Sequence, residues 1–317
     1  MCPGQKVEQK NRHCKLCKRL GAVVKACINI ISSRERCIPL CLSSLWENYN
    51  NQKEYPVYVY YFDDIYDNNM FQASIKSNGQ NVIFKKIPYS TPTFIEEREL
   101  FYNRMNIQYA RSFGIRRKGY LHMCNFTSNM FGYENTELEK YDMIMTHDDE
   151  SGYDKIMTED PFKIMENRKE LIGAFKVGKR LKNGQPHQGH LDTRIGLWDF
   201  TKEFIDKNNV QPKNSFLMSL ISDPDASWKF HFLDWCDTYV IKTEMFKSDL
   251  WKKWIDCVNK SGGIYKYRWG DNEIISIYAN MVQESIYNLN FVDSGHHNQG
   301  KFRYLQDIAP SIKDVKK

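Results

Sequence analysis

Residues 141–150, Tyr-Asp-Met-Ile-Met-Thr-His-Asp-Asp-Glu, pass from a short apolar run directly into three consecutive carboxylates. Tyr141 to Thr146 reads as a short buried strand, and His147-Asp148-Asp149-Glu150 follows at its carboxyl end. Open α/β sheets bind ligands in the crevice beyond the carboxyl ends of their strands. Carboxylate oxygens are hard ligands for Mg²⁺ or Mn²⁺, ions that use one or two protein carboxylates together with substrate phosphates. Acidic residues after a strand also suit an ordinary solvated loop. The strand in front of them is what favours the ligand reading.

Working outward, the flanking segments alternate in kind. Val23 to Ile31 is a β-branched run that stops at the turn Ser32-Ser33-Arg34-Glu35. Ile38, Leu40, Leu42, Leu45 and Trp46 then recur at helical spacing. Tyr55 to Phe62 and Asn81 to Ile87 read as further strands, and the turn signals Pro88 and Pro92 precede a long helix expected over about Thr93 to Arg111. Such alternation predicts an α/β domain with a largely parallel sheet. Downstream, Phe200 to Asn208 and Thr243 to Lys260 read as helices, and Trp228 to Ile241 as extended chain. Gly262-Gly263 punctuates, and Tyr265 to Asp271 leads into a helix from about Asn272 to Gln283. With no internal repeat or low-complexity linker, residues 24–317 are expected to form one domain behind a basic, aperiodic tail of residues 1–23.

Composition narrows the function class. The chain has 317 residues, 41% hydrophobic and 26% charged, ordinary values for a globular protein. The formal net charge of +6 is concentrated near the ends, in Lys6, Lys10, Arg12, Lys15, Lys18 and Arg19 and in Lys313, Lys316 and Lys317. These suit solvated termini, and no arginine-rich helix or zinc-finger spacing supports a nucleic-acid partner. No apolar run reaches the roughly 18 residues of a membrane span. Nine cysteines, six of them before residue 42, form no regular framework. Cys14 and Cys17 make a single C-x-x-C with no second pair at zinc-site spacing. The chain as it stands is expected to be soluble and cytoplasmic.

The segment Gly119 to Glu150 carries a resemblance. Tyr120, Met123, Cys124, Ser128, Tyr141 and Asp142 match the fungal Golgi α-1,2-mannosyltransferases, glycosyltransferase family 15. Asp148, Asp149 and Glu150 stand where that family has a Glu-Pro-Asp metal motif, and Asp160-Pro161-Phe162 repeats its Asp-Pro-Phe. Leu197-Trp198 and Ile221-Ser222-Asp223 are similar to family patterns. His231 to Asp237 resembles a His-Phe-Trp-Ser-Asn-Phe-Glu stretch, with Asp237 in place of the final Glu. The most specific match is Gly262-Gly263 with Tyr267-Arg268-Trp269-Gly270-Asp271, followed by Ser276-Ile277. Asp293-Ser294-Gly295-His296-His297 resembles an Asp-Ile-Gly-Tyr-His-His pattern.

The resemblance covers about residues 25 to 300 and implies a GT-A glycosyltransferase fold, Rossmann-like, with a mostly parallel central sheet flanked by helices. It implies a retaining transferase that moves a sugar, mannose favoured, from a nucleoside-diphosphate donor such as GDP-mannose. The acceptor would be an oligosaccharide or glycoprotein, and the product an α-linkage, α-1,2 in the family. It further implies Mn²⁺ or Mg²⁺ and a membrane anchor, with a Golgi-lumenal location if such an anchor is joined to the chain. Asp148, Glu150 and His297 become the expected metal ligands, with His296 the fallback. Arg34 and Asp149 are expected at the donor, and Asp237 and Tyr120 at the reaction centre. Arg268, Trp269 and Asp271 are expected on the acceptor side, although Trp269 suits a core equally well. Asp237 would face the anomeric carbon, as nucleophile or as electrostatic support for an oxocarbenium-like ion. Two rivals stay open on the residues: an inverting transferase or nucleotide-sugar hydrolase, and a non-catalytic carbohydrate-binding relative.

Overall fold

The structure is a computed structural model. It describes residues 24–32, 37–61, 81–88, 90–101, 117–132, 136–149, 151–153, 155–175, 181–182, 185–186, 194–223, 238–289 and 296–297. The strands are β1 (Ala26–Ser32), β2 (Val57–Tyr61), β3 (Val82–Lys86), β4 (Met143–Asp148), β5 (Gly152–Tyr153), β6 (Ile172–Ala174), β7 (Leu181–Lys182), β8 (Gln185–Pro186), β9 (Tyr239–Lys242), β10 (Tyr287–Asn288) and β11 (His296–His297). The helices are α1 (Ile38–Asn48), α2 (Arg117–Asn129), α3 (Pro161–Glu166), α4 (Leu197–Lys207), α5 (Ser215–Ile221), α6 (Glu244–Lys247), α7 (Asp249–Ser261), α8 (Gly263–Tyr267) and α9 (Asp271–Val282).

Among the described residues the main sheet has seven strands in the order β10-β6-β9-β4-β1-β2-β3. The run from β4 through β1 and β2 to β3 is parallel, β9 lies antiparallel between β4 and β6, and β10 is parallel to β6. Every residue of β1 and β2 is buried, as strands covered on both faces require. The pleat divides them between two cores. Cys27 and Ile31 face a core shared with α2, α4, α7, α8 and α9, whereas Ala26, Ile28 and Ile30 face one built with α1 and α3. The result is helices on both sides of a mostly parallel sheet, the GT-A architecture expected from the resemblance.

Local chemistry explains where the elements differ from expectation. The helix expected from Thr93 does not begin there: residues 93–100 hold turns and one 3-10 turn, Glu97–Glu99, while Phe101 is helical and residues 102–111 lie outside the described residues. Glu96 and Glu99 close a reciprocal capping box around that turn, and Ile95 and Leu100 sink into the core, so the segment is held as a loop. The helix expected from Thr243 to Lys260 is two helices. Ser248 is extended between α6 and α7, and its Oγ accepts from the Trp251 amide at 3.1 Å, a cap that starts a new helix. Gly262, at φ 69°, ends α7 in the left-handed conformation that glycine adopts at low cost. Helix α2 was not anticipated. Its buried residues Leu121, Cys124 and Phe126 are interleaved with polar His122, Asn125 and Thr127, which blurs the helical period. The expected tail, residues 1–23, lies outside the described residues. No helix among the described residues is long and apolar enough to cross a membrane.

Candidate active site

Strands β1 and β4 lie side by side and parallel at the middle of the sheet, with Ile31 opposite Asp148. Their carboxyl ends therefore emerge together. Just beyond, Ser32 Oγ donates to Asp149 Oδ2 at 2.6 Å, and both residues are buried. Asp149 was expected to meet the donor. Its side chain is buried and bonded to Ser32 at the strand end, as a buried carboxylate must be hydrogen-bonded. Asp148, the last residue of β4, is half-buried at the carboxyl edge of the sheet.

The neighbouring His147 is buried, and burial holds its pKa down at about 4. Its Nδ1 lies 2.8 Å from the Asp148 carbonyl oxygen. A carbonyl can only accept, so Nδ1 carries the proton and the neutral ring fixes the backbone at Asp148. Cys41 packs against it, Sγ to Nδ1 3.5 Å, with its thiol pKa pushed up by burial and by Asp149 and Asp148. The chain then turns sharply, the Ser151 amide donating to the Asp148 carbonyl at 3.0 Å. Strand β5 is pinned to α1, since Ser44 Oγ accepts from the Tyr153 amide at 2.6 Å and Asn48 Nδ2 donates to the Tyr153 carbonyl at 3.0 Å. On β5 lands the C-terminal strand β11, antiparallel, with His297 opposite Gly152. The histidine pair is thus brought back to the turn that follows Asp148.

A second cluster gathers around α2 and the start of α9. Arg268 lies at φ 55°, ends α8, and lays its guanidinium over the Tyr120 ring with Cζ 4.4 Å from the centroid. Asp271 begins α9 beside Cys124, and its carboxyl is pushed up to about 7, by burial first and by Glu273 second. Glu273 pairs with the buried Arg194, Oε1 to Nη2 2.6 Å. A Cβ at Gly270 would collide with the Glu273 carboxylate and would require that side chain to shift from Arg194. Trp269, expected to offer a face to a sugar, is instead a core residue. It is 2% exposed, packs on Phe200 and Tyr267, and covers Gly263, where a Cβ would strike its ring. Its Nε1 donates to the Ile195 carbonyl at 2.9 Å, which satisfies the indole where it is buried.

The structure therefore brings Asp148 and the backbone of His297 to one edge, and Tyr120, Arg268 and Asp271 to another cluster. Glu150, Arg34 and Asp237 lie outside the described residues, and so does the side chain of His297. Among the described residues no group of three or more His, Cys, Asp or Glu side chains is placed to hold a metal ion. Sequence reasoning missed Ser32, Arg194 and Glu273. Ser32 carried a signal, a small hydroxyl residue at the end of an apolar strand; Arg194 carried none.

A mixed sheet whose parallel half opens at a strand-end carboxylate defines the chain as a GT-A-type glycosyltransferase fold. The comparisons with known proteins narrow the class. The profile of the glycolipid 2-alpha-mannosyltransferase family matches residues 4–306. The chain belongs to that family. It is 24% identical over 258 residues to the O-glycoside alpha-1,2-mannosyltransferase omh1 of Schizosaccharomyces pombe, covering 79% of this chain and 63% of that protein. It is 25% identical over 281 residues to the glycolipid 2-alpha-mannosyltransferase of Saccharomyces cerevisiae, covering 86% of this chain and 60% of that protein. The matched region thus spans less than two thirds of either relative's length. Among solved structures, the mannosyltransferase Ktr4p of S. cerevisiae in complex with GDP superposes with a TM-score of 0.66 at 20% identity, covering 87% of this chain and 71% of that one. Core-mannan synthase A of Aspergillus fumigatus, in its Mn/GDP form, superposes at 0.67 with 16% identity, covering 88% and 76%. At these identities the superpositions establish the fold.

Proposed function

We propose that the chain is a metal-dependent, retaining glycosyltransferase that moves mannose from GDP-mannose onto a carbohydrate acceptor, forming an α-linkage of the α-1,2 kind. The observation that carries this reading is the pairing of β11 with β5, which returns His297 to the turn after a half-buried Asp148. Family membership and the GDP and Mn/GDP complexes of the two structural relatives support the choice of donor and ion.

The residues present fit a divalent cation. Asp148 offers a hard oxygen donor at the strand end, and the neutral His147 and the Ser32–Asp149 bond hold the backbone behind it. Glu150 and His297 are the further ligands we propose. A bound Mn²⁺ or Mg²⁺ would offset the charge gathering on the departing diphosphate. Arg34 would bind the donor phosphates or base. Asp237 would face the anomeric carbon; it is one methylene shorter than the family's Glu, so electrostatic support suits it better than direct attack. Arg268, held over Tyr120, and Asp271, which exchanges a proton near neutrality, would orient the acceptor hydroxyl.

Calorimetry of GDP binding with Mn²⁺, with EDTA, and in Asp148→Ala tests the metal reading. Affinity should need the ion and fall in the variant; equal affinity in all three conditions would refute it. NMR of the product's anomeric proton decides retention, since a β-linked product would point to the inverting rival.

A further inference from the structure

On the flank of α2 lies a cleft of about 420 Å³ that the transferase reading does not use. We infer that it is a second binding site, for a neutral oligosaccharide, separate from the acidic edge. Its polar wall is three amides, Asn125, Asn129 and Asn259; its apolar wall is Phe94 and Tyr265. Its size falls in the range of small-ligand pockets, about 300–1,000 Å³.

The amides are held ready. Asn129 and Asn259 bond reciprocally, Nδ2 to Oδ1 at 3.1 Å one way and 2.8 Å the other. Asn129 Nδ2 also reaches the Asn125 carbonyl at 2.9 Å and its Oδ1 at 3.2 Å. The Asn129 and Asn259 amide oxygens each have a second lone pair, and Asn259 Nδ2 a second hydrogen. Groups that both donate and accept suit sugar hydroxyls, which do the same. The one charged side chain lining the cleft among the described residues, Lys260, is exposed and paired with Asp256 at 2.7 Å, so the cleft offers little to an ionic ligand.

The aromatic wall is positioned as well. Phe94 is 54% exposed, unusual for a large apolar ring, so one face is open for the C–H side of a pyranose. Its segment is anchored by buried Ile95 and Leu100 and by the Lys266–Glu99 ion pair at 3.0 Å. Gly262 lets it approach: a Cβ there would lie 3.2 Å from Ile95 Cδ1 and 3.4 Å from Phe94 Cε2. Behind Tyr265, His122 Nδ1 sits 3.1 Å from the phenol oxygen and fixes the ring.

The site is distinct from the cluster around Tyr120. At about 100° per residue, Asn125 and Asn129 point roughly 140° and 180° away from Tyr120 around α2. Helix α8 separates the two, with Tyr265 on the cleft and Arg268 over Tyr120. The inference rests on the transferase reading only for its probe, α-1,2-linked mannotriose.

The test measures mannotriose binding to the full chain by calorimetry and by saturation-transfer NMR, without donor. Phe94→Ala should weaken binding about tenfold, Phe94→Tyr should keep it, and GDP affinity should be unchanged in both. Mannotriose binding that survives Phe94→Ala, that is missing from a chain still binding GDP, or that guanosine displaces would overturn the site. Failure of the unsubstituted chain to transfer mannose to methyl α-mannoside would count against the transferase reading instead, because the binding measurement needs no turnover.

Discussion

The carboxyl edge of β1 and β4 and the cluster at the start of α9 both present an aspartate, yet they treat it in opposite ways. At the edge, the neighbours of Asp148 serve the backbone: His147 bonds its carbonyl, and the adjacent Asp149 takes up the Ser32 hydroxyl. Asp148 itself is half-buried at the end of β4. At α9 the local groups serve each other. Arg194 takes Glu273, Arg268 covers Tyr120, and the Asp271 carboxyl is pushed up to about 7 by burial and by Glu273. The first arrangement suits an external cation and the second suits a hydroxyl. A sequence motif rich in charged residues is therefore not of itself a ligand site; what matters is how its charges are matched inside the fold.

Four substitutions would break or sharpen this contrast. Trp269→Ala should have the largest effect, on stability and not on substrate affinity. Removing a buried indole costs about 3–5 kcal/mol, and the loss of its partners Phe200 and Gly263 leaves a cavity. Denaturant unfolding reads this, and a stable variant with raised acceptor KM would restore Trp269 to the acceptor site. Next comes Asp148→Ala. Turnover should fall on the order of a hundredfold, about 2.7 kcal/mol at the transition state, with the melting temperature almost unchanged. A melting temperature that falls in step with activity would make Asp148 structural.

Asp271→Asn should act through pH. The carboxyl's pKa is about 7 in the fold against an ordinary 3.8, so the folded state keeps a proton that the unfolded chain releases. Asp271 therefore contributes stability that is fully present below pH 3.8 and is lost as pH rises to about 7. With partial exposure screening the charge, the loss is about 2 kcal/mol. Asn carries no titrating proton, so the variant should be relatively more stable at pH 8 than at pH 5. Parallel pH–stability curves for the two proteins would remove the assignment. Ser32→Ala should show the smallest effect, about 1.5 kcal/mol from one hydrogen bond to a buried carboxylate. Its turnover should stay within a few fold, and an effect as large as that of Asp148→Ala would mean that Ser32 itself touches substrate.

Much of the sheet was legible in the chain. The expected strands at Val23 to Ile31, Tyr55 to Phe62, Asn81 to Ile87 and Tyr141 to Thr146 correspond to β1 to β4, because a strand buried on both faces must be an unbroken apolar run. The helices were harder. Thr93 to Leu100 has the composition of a helix, but tertiary anchors at Ile95 and Leu100 hold it as a loop. Helix α2 hides its period, because polar residues lie among its buried ones: Asn129 bonds Asn125 and Asn259, and His122 and Thr127 are buried.

For this protein, the sequence by itself determined that a mostly parallel α/β sheet would form and that an acidic motif would follow a central strand. Both depend on local hydrophobic pattern and on neighbours along the chain. Only the tertiary structure decided that Asp149 is buried where Asp148 is not, that Trp269 is core, and that His297 lies beside Gly152. Those outcomes depend on contacts between residues far apart in the chain. A side chain's exposure and charge state are set by what packs against it, and no local pattern encodes that partner.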